Sequence, residues 1–195
     1  VTVAIIERRS FAPLELRSDA SDGIVHLTGY ASVTEKPYDV GSYIETIARG
    51  AFTRTLNEDP DVQLLINHTG LPLARTKSGT LLLEERERGL WVDALLDPED
   101  PDVQSLSRKM KRGDIDQMSF AFQAIDSDWS DDFTQRRIKT VSIDRGDVSV
   151  VNMGANPSST ASIRAAAMRA AGALQLNNSA AQAQRIALLR LRGAR

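Results

Sequence analysis

Cysteine is absent from the 195 residues. Its absence excludes disulfide bridges, thiolate metal sites and a cysteine nucleophile, and it fits an intracellular setting. Aromatic residues make up only 5% of the chain, so Leu, Ile, Val and Ala must fill any core, and the hydrophobic share of 42% is enough for one. No apolar run reaches the ~18 residues that a membrane-crossing helix needs. The chain does not open with a charged n-region, an apolar h-region and a cleavage site, so no signal peptide is expected. Val1 in place of methionine suggests a trimmed start. Histidine is scarce as well: only His26 and His68 can serve as imidazole bases.

The formal net charge of −2 hides an asymmetry. Residues 161–195 carry six arginines and no acid, whereas residues 1–160 carry 18 basic against 26 acidic side chains, a net of −8. An acidic body with a basic tail implies two regions, a domain over 1–160 and a tail over 161–195. The tail is dominated by Ala, Arg and Gln, which are strong helix formers. It reads either as a solvated helix or as a docking helix, and its charge would suit acidic scaffold surfaces or DNA. The body shows no basic surface for nucleic acid.

Most of the body reads as strands. Alternation and β-branched content mark strands over 24–33, 43–47, 62–66, 73–76, 80–84, 90–96, 134–143 and 147–151, with an apolar first strand over 1–7. Turns are expected at 18–23 and 69–72, and an acidic hairpin tip at 126–132. The clearest helix lies over 97–113. Asp100 can cap it, Pro101 suits its first position, Val103, Leu106 and Met110 form its apolar stripe, and Gly113 fits its end. A short helix is expected over 50–56. Eight or nine strands with two or three helices predict a mainly β protein with helices (α+β). The expected form is a closed or nearly closed antiparallel β-barrel with surrounding helices and a C-terminal helical tail.

One stretch stands apart from this scaffold. In Met118-Ser119-Phe120-Ala121-Phe122, bulky apolar residues alternate with small ones, so Ser119 sits mid-strand on a face with room for a substrate. Serine hydroxyl is a poor nucleophile until a neighbouring base removes its proton, and a third group must orient that base. His26 lies inside a strand pattern, between Val25 and Leu27. His68 follows the end of an apolar strand, where functional side chains are displayed, and is the better candidate base. For the third group Asp147 opens Asp147-Val148-Ser149-Val150-Val151 and alternates away from the valines; Asp144 is the weaker alternative. Taken alone, each of these is also an ordinary strand or turn residue.

The order of the signals resembles the prohead (capsid maturation) protease family of tailed phages, related in fold to the herpesvirus assemblins. Seven stretches carry the resemblance. They are Gly29-Tyr30-Ala31-Ser32-Val33, Ile44-Glu45-Thr46-Ile47 with Gly50-Ala51-Phe52, the 62–66 strand with Asn67-His68, Gly89-Leu90, the Ser119 strand, Asp147-Val148-Ser149-Val150-Val151, and Ala155-Asn156-Pro157. The separation of 51 residues between His68 and Ser119 also suits that family. The resemblance implies a serine endopeptidase on a herpesvirus-protease-like barrel, with Ser119 as nucleophile, His68 as base and no metal or cofactor. The third position is typically Glu in the phage proteins and a second histidine in the herpesvirus relatives. Here it is Asp147, one methylene shorter, so its strand must sit closer to the imidazole. Leu73-Ala74-Arg75 also departs from the pattern, in which a glycine often follows Pro-Leu. Arg136 and Arg137 are expected to support the oxyanion site or to pair with Asp131 or Asp132 at the surface. The implied substrates are the scaffolding segment of the major capsid protein and the protease itself, inside an assembling procapsid in the host cytoplasm. The herpesvirus relatives work as dimers, which leaves a homo-oligomer open, and no membrane is involved. Two other functions compete: a non-catalytic capsid-assembly module on the same barrel, and a generic β-barrel binding module.

Overall fold

The computed structural model describes residues 5–11, 14–19 and 24–152. The expected tail helix, the boundary at residue 160, the Ala155-Asn156-Pro157 stretch and most of the expected first strand lie outside the described residues. The first described strand is β1 (Glu7–Phe11), followed by β2 (Leu14–Asp19), which occupies the start of the expected turn at 18–23. Next come β3 (Ile24–Tyr30), the short β4 (Tyr38–Asp39), β5 (Ile44–Ile47), α1 (Thr53–Asn57), β6 (Gln63–Ile66) and β7 (Thr69–Arg75). A 3-10 turn over Thr76–Ser78 leads to β8 (Leu81–Arg86) and β9 (Gly89–Leu96). The remaining elements are α2 (Pro101–Arg112), β10 (Gln117–Trp129), β11 (Gln135–Ser142) and β12 (Asp147–Val151).

Local chemistry accounts for the helix that leads into β10. The Asp102 N–H donates to the Asp100 carboxylate at 2.7 Å, Pro101 fills the first turn, and Val103 and Leu106 are buried. Gly113, at φ 81°, ends α2, and the Asp114 N–H reaches back to the Lys109 carbonyl at 2.9 Å. The expected hairpin tip at 126–132 is shorter than its acidity suggested. Asp126 and Asp128 remain in β10 because Lys139 of β11 pairs with both, at 3.1 and 2.9 Å. Like charges are tolerated on one exposed strand face when a cation stands opposite them.

The strands form two open sheets, not a closed barrel. The larger sheet has the order β4-β5-β11-β10-β12-β6-β7, with β1 added to β10, and the smaller has the order β2-β3-β9-β8. Closure fails between β7 and β8. The 3-10 turn and Gly79, at φ 71°, swing the chain so that β8 leaves β7 and pairs with β9. Nor is the larger sheet purely antiparallel. β11 and β12 follow one another along β10, and β5 and β6 pair with them in parallel. The two sheets share one core: Leu27, Leu81, Val92 and Ala94 from the smaller, Leu64, Phe120, Ile138 and Val150 from the larger, with Phe52 before α1 and Leu106 of α2. Gly89 is required at the start of β9, where the chain leaving β3 passes close by, because a Cβ there would lie 2.1 Å from the Ser32 carbonyl oxygen.

β1, which pairs with β10, is tied to β5 and β11 by a buried cluster of charges. Glu45 of β5 is fully buried, and its carboxylate accepts from Arg9 Nε at 2.7 Å, from Arg136 Nη1 at 3.0 Å and from the Tyr38 hydroxyl at 2.5 Å. Glu7 accepts from both guanidinium groups, Arg9 at 2.9 Å and Arg136 at 2.7 Å. Burial alone would lower the pKa of each arginine. The carboxylates outweigh it, and both guanidinium groups are held above their ordinary value. Burial, followed by the nearby Glu45 charge, also raises the Tyr38 phenol well above its usual range. Arg136 therefore ties β11 to β1 and β5, and does not pair with Asp131 or Asp132. Arg137 pairs with Glu35 at 2.7 Å.

Removing one member of a buried ion cluster leaves its partners desolvated and unpaired, typically at a cost of about 3–5 kcal/mol. Glu45→Ala is expected to lower the urea midpoint by an amount corresponding to at least about 3 kcal/mol. Exposed Glu58→Ala should shift it by less than about 0.5 kcal/mol. Equal shifts for the two variants would contradict the assigned role of the cluster.

Candidate active site

The site is built on β10. Met118, Phe120 and Phe122 turn into the core, where Phe120 stacks on Phe122 at 4.5 Å and meets Phe52 edge-on at 5.6 Å. Packing of that face commits Ser119 and Ala121 to the other. β12 obeys the same alternation: Val148 and Val150 enter the core, so Asp147 and Ser149 emerge on the side of Ser119. The register places Ser119 directly opposite Ser149 of β12 on one side and opposite Ser10 of β1 on the other.

His68 arrives from a hairpin. Ile66 pairs with Thr69, so Asn67 and His68 form a two-residue turn, with φ of 52° and 59°. Both central residues are left-handed, as a type I′ turn demands. Asparagine tolerates that conformation; histidine in the second position takes the place usually held by glycine. The turn expected at 69–72 is therefore displaced to Asn67-His68, and Thr69 already belongs to β7. The Asn67 N–H donates to the Val150 carbonyl at 2.9 Å, and the Asn67 side-chain oxygen accepts from the Asn152 N–H at 3.1 Å. At the open end of the hairpin Arg75 pairs with Asp61 through two bonds, of 2.7 and 2.6 Å, and holds that carboxyl down at about 2.

The structure brings His68, Ser119 and Asp147 together. The Ser119 hydroxyl lies 2.8 Å from His68 Nε2, and His68 Nδ1 lies 2.5 Å from Asp147 Oδ1. With Nδ1 donating to the carboxylate, Nε2 is left as an acceptor for the serine proton. Ser119 is fully buried, and the His68 and Asp147 side chains are nearly so. The short acid meets the ring because the imidazole lies back over β12, the strand that carries Asp147. His26 instead sits 3.4 Å from Asp93 on the smaller sheet. Asp144 accepts from the Asp61 N–H at 3.0 Å, so it serves the loop before β6 and not the site. Arg136 and Arg137 are occupied by the partners described above.

Sequence reading missed Ser149. Its hydroxyl donates to Asp147 Oδ1 at 2.6 Å and accepts from the His68 N–H at 3.1 Å. The signal was present, since Asp147 and Ser149 are two apart in a strand and must share a face. No group of side chains suited to hold a metal ion occurs among the described residues.

Residues 12–173 match the family described as Caudovirus prohead serine protease. Among solved structures, that of the bacteriophage T4 capsid assembly protease, gp21, matches with a TM-score of 0.49 and 9% identity, over 74% of this chain and 96% of that one. No curated protein matches the sequence.

Gly146 sets the distance between β12 and β10. A Cβ at this position would lie 2.8 Å from the Ala121 carbonyl oxygen and 2.9 Å from that of Ile143. Gly146→Ala must push the start of β12 outward and Asp147 with it. The expected results are a loss of about 1–3 kcal/mol in thermal denaturation and a fall in the rate at which Ser119 is labelled by a fluorophosphonate. Labelling at the wild-type rate would show that Asp147 does not depend on this spacing.

Proposed function

The chain belongs to the Caudovirus prohead serine protease family, and on that basis we propose that Ser119 is its nucleophile, His68 its general base and Asp147 the group that orients the base. The protein is a serine endopeptidase of capsid maturation. The observation that carries the assignment of residues is the continuous chain of contacts from Ser119 Oγ through both ring nitrogens of His68 to Asp147 Oδ1. A non-catalytic capsid module on the same sheets would have no use for such a chain.

The chemistry follows from the contacts. Ser119 Oγ forms a bond to the carbonyl carbon of the scissile peptide while its proton passes to His68 Nε2. The carboxylate of Asp147 stabilises the resulting imidazolium and keeps Nδ1 protonated. The imidazolium then gives its proton to the leaving amide nitrogen as the carbon–nitrogen bond breaks. Water attacks the acyl-enzyme, again losing a proton to Nε2, and the carboxylic acid product departs with Ser119 restored. The step draws on no metal and no cofactor.

The substrates we assign are the scaffolding segment of the phage major capsid protein and the protease chain itself, cleaved inside the assembling procapsid. Family membership and the site geometry support this reading. Co-expression with the capsid protein tests it. Wild type is expected to shorten the capsid protein and Ser119→Ala to leave it intact; equal processing by both would refute the nucleophile. With purified protein, Asp147→Ala is expected to lower the rate of Ser119 acylation by about 10⁴-fold. Intact-mass measurement of the protease from the same cultures reports on self-cleavage, which Ser119→Ala should abolish.

A further inference from the structure

Ser149 lies behind the three residues just assigned, and its contacts go further than filling space between strands. It is fully buried, so its hydroxyl must be satisfied within the protein. It is satisfied in both roles: it accepts from the His68 main-chain N–H at 3.1 Å and donates to Asp147 Oδ1 at 2.6 Å. The same carboxylate oxygen receives His68 Nδ1 at 2.5 Å. A closed ring results, running from the backbone of His68 through Ser149 to Asp147 and back to the imidazole of His68.

Each part of this ring addresses a specific weakness of the site. The terminal torsion of an aspartate is broad, so one hydrogen bond from the imidazole leaves the carboxylate free to swing. A second donor on the same oxygen removes that freedom. His68 occupies the second position of a type I′ turn, a left-handed conformation that glycine adopts at less cost than a residue with a Cβ. Its N–H finds its acceptor on β12, which anchors the turn to the strand that also supplies the acid. Register completes the arrangement, since Ser149 pairs with Ser119 on β10 and with Leu65 on β6, the strand leading into the turn.

We infer that Ser149 is a positioning residue for peptide hydrolysis. It holds the Asp147 carboxylate and the His68 main chain in one frame, so that Nε2 is presented to Ser119. It touches neither substrate nor the reacting atoms and acts through Asp147 and His68. The inference rests on the triad reading above and adds the part that makes a short acid sufficient at the third position. A serine that only filled the small volume between β10 and β6 would be replaceable by alanine without loss of rate.

The test uses the full chain and a fluorophosphonate, whose reaction with serine needs no knowledge of the cleavage sequence. Phosphonylation of Ser119 is followed by intact mass, separating the maximal rate from the half-saturating concentration. Ser149→Ala is expected to lower the maximal rate about 10-fold to 100-fold, the range for losing a hydrogen bond to a charged group, and to leave half-saturation unchanged. The far-downfield proton resonance of His68 Nδ1–H should shift or vanish. In an Asp147→Ala background the same substitution should cause a smaller fall, since only the bond to the His68 N–H is left to lose. Ser149→Thr, which keeps the hydroxyl, should retain most of the rate and decides the matter if the alanine variant does not fold. Three results would overturn the inference: a rate within twofold of wild type for folded Ser149→Ala, a loss of equal size in the Asp147→Ala background, or a folded Ser149→Thr as slow as Ser149→Ala. Should Asp147→Ala itself leave the rate unchanged, the triad reading falls and this inference with it. Should Asp147→Ala collapse the rate while Ser149→Ala does not, only the inference falls.

Discussion

The imidazole of His68 has to cross a strand to reach its partner. Ser119 stands on β10, the neighbouring strand is β12, and His68 belongs to the turn that follows the strand after that, β6. A side chain leaving an ordinary extended residue of β6 would stand perpendicular to the sheet. The left-handed backbone of Asn67 and His68 turns the ring back over β12, at a backbone cost of roughly 1–2 kcal/mol for the histidine. Neighbours that over-determine the turn offset this cost: the Val150 carbonyl, the Asn152 N–H and the Ser149 hydroxyl all bond to it. The strain is thus held in place by β12, the strand that also carries the carboxylate.

β10 carries the other half of the requirement. Its apolar face is locked by Phe120 and Phe122, so its small face cannot rotate away from β12. Its second edge is covered by β1, whose Arg9 and Glu7 join the buried charges of Glu45 and Arg136. Such a cluster adds little net stability over apolar packing, but it punishes every other arrangement of the same strands, because a buried charge without its partner is severely penalised. β1, β5 and β11 are therefore fixed relative to one another around the strand that bears Ser119. The opposite face of β10 is left to Ser10, Ser119 and Ser149 in one row.

The contact between Asp147 and the ring follows from the same crossing. An imidazole folded back over β12 meets an acid on that strand at close range, so the shorter side chain suffices where Gly146 lets β12 approach β10. A short acid has little slack, however. Its contact with the ring depends on how firmly the start of β12 is seated, and Gly146, Ser149 and the Asn67-His68 turn all bear on that seating.

Much of this was legible in the order of the residues. The alternation through Met118, Ser119, Phe120 and Phe122, the caps of α2 at Asp100 and Gly113, and the facing of Asp147 away from Val148 and Val150 are consequences of local periodicity, which a chain carries wherever it lies. The two sheets were not legible in the same way. β5 and β6 run parallel to β11 and β12 only because β11 and β12 lie end to end along β10, and no barrel closes because the chain swings away at Gly79. Arg136 likewise pairs with Glu7, 129 residues distant, and not with the nearby Asp131 or Asp132. Ser149 gains its two hydrogen bonds only from its position between His68 and Asp147. By itself the sequence determined which side chains share a strand face, because that depends on neighbours two to four residues apart. Which faces meet, which charges pair and which serine bonds to His68 and Asp147 were decided by the tertiary structure, because register and burial between distant strands are properties of the assembled sheets and not of any one stretch.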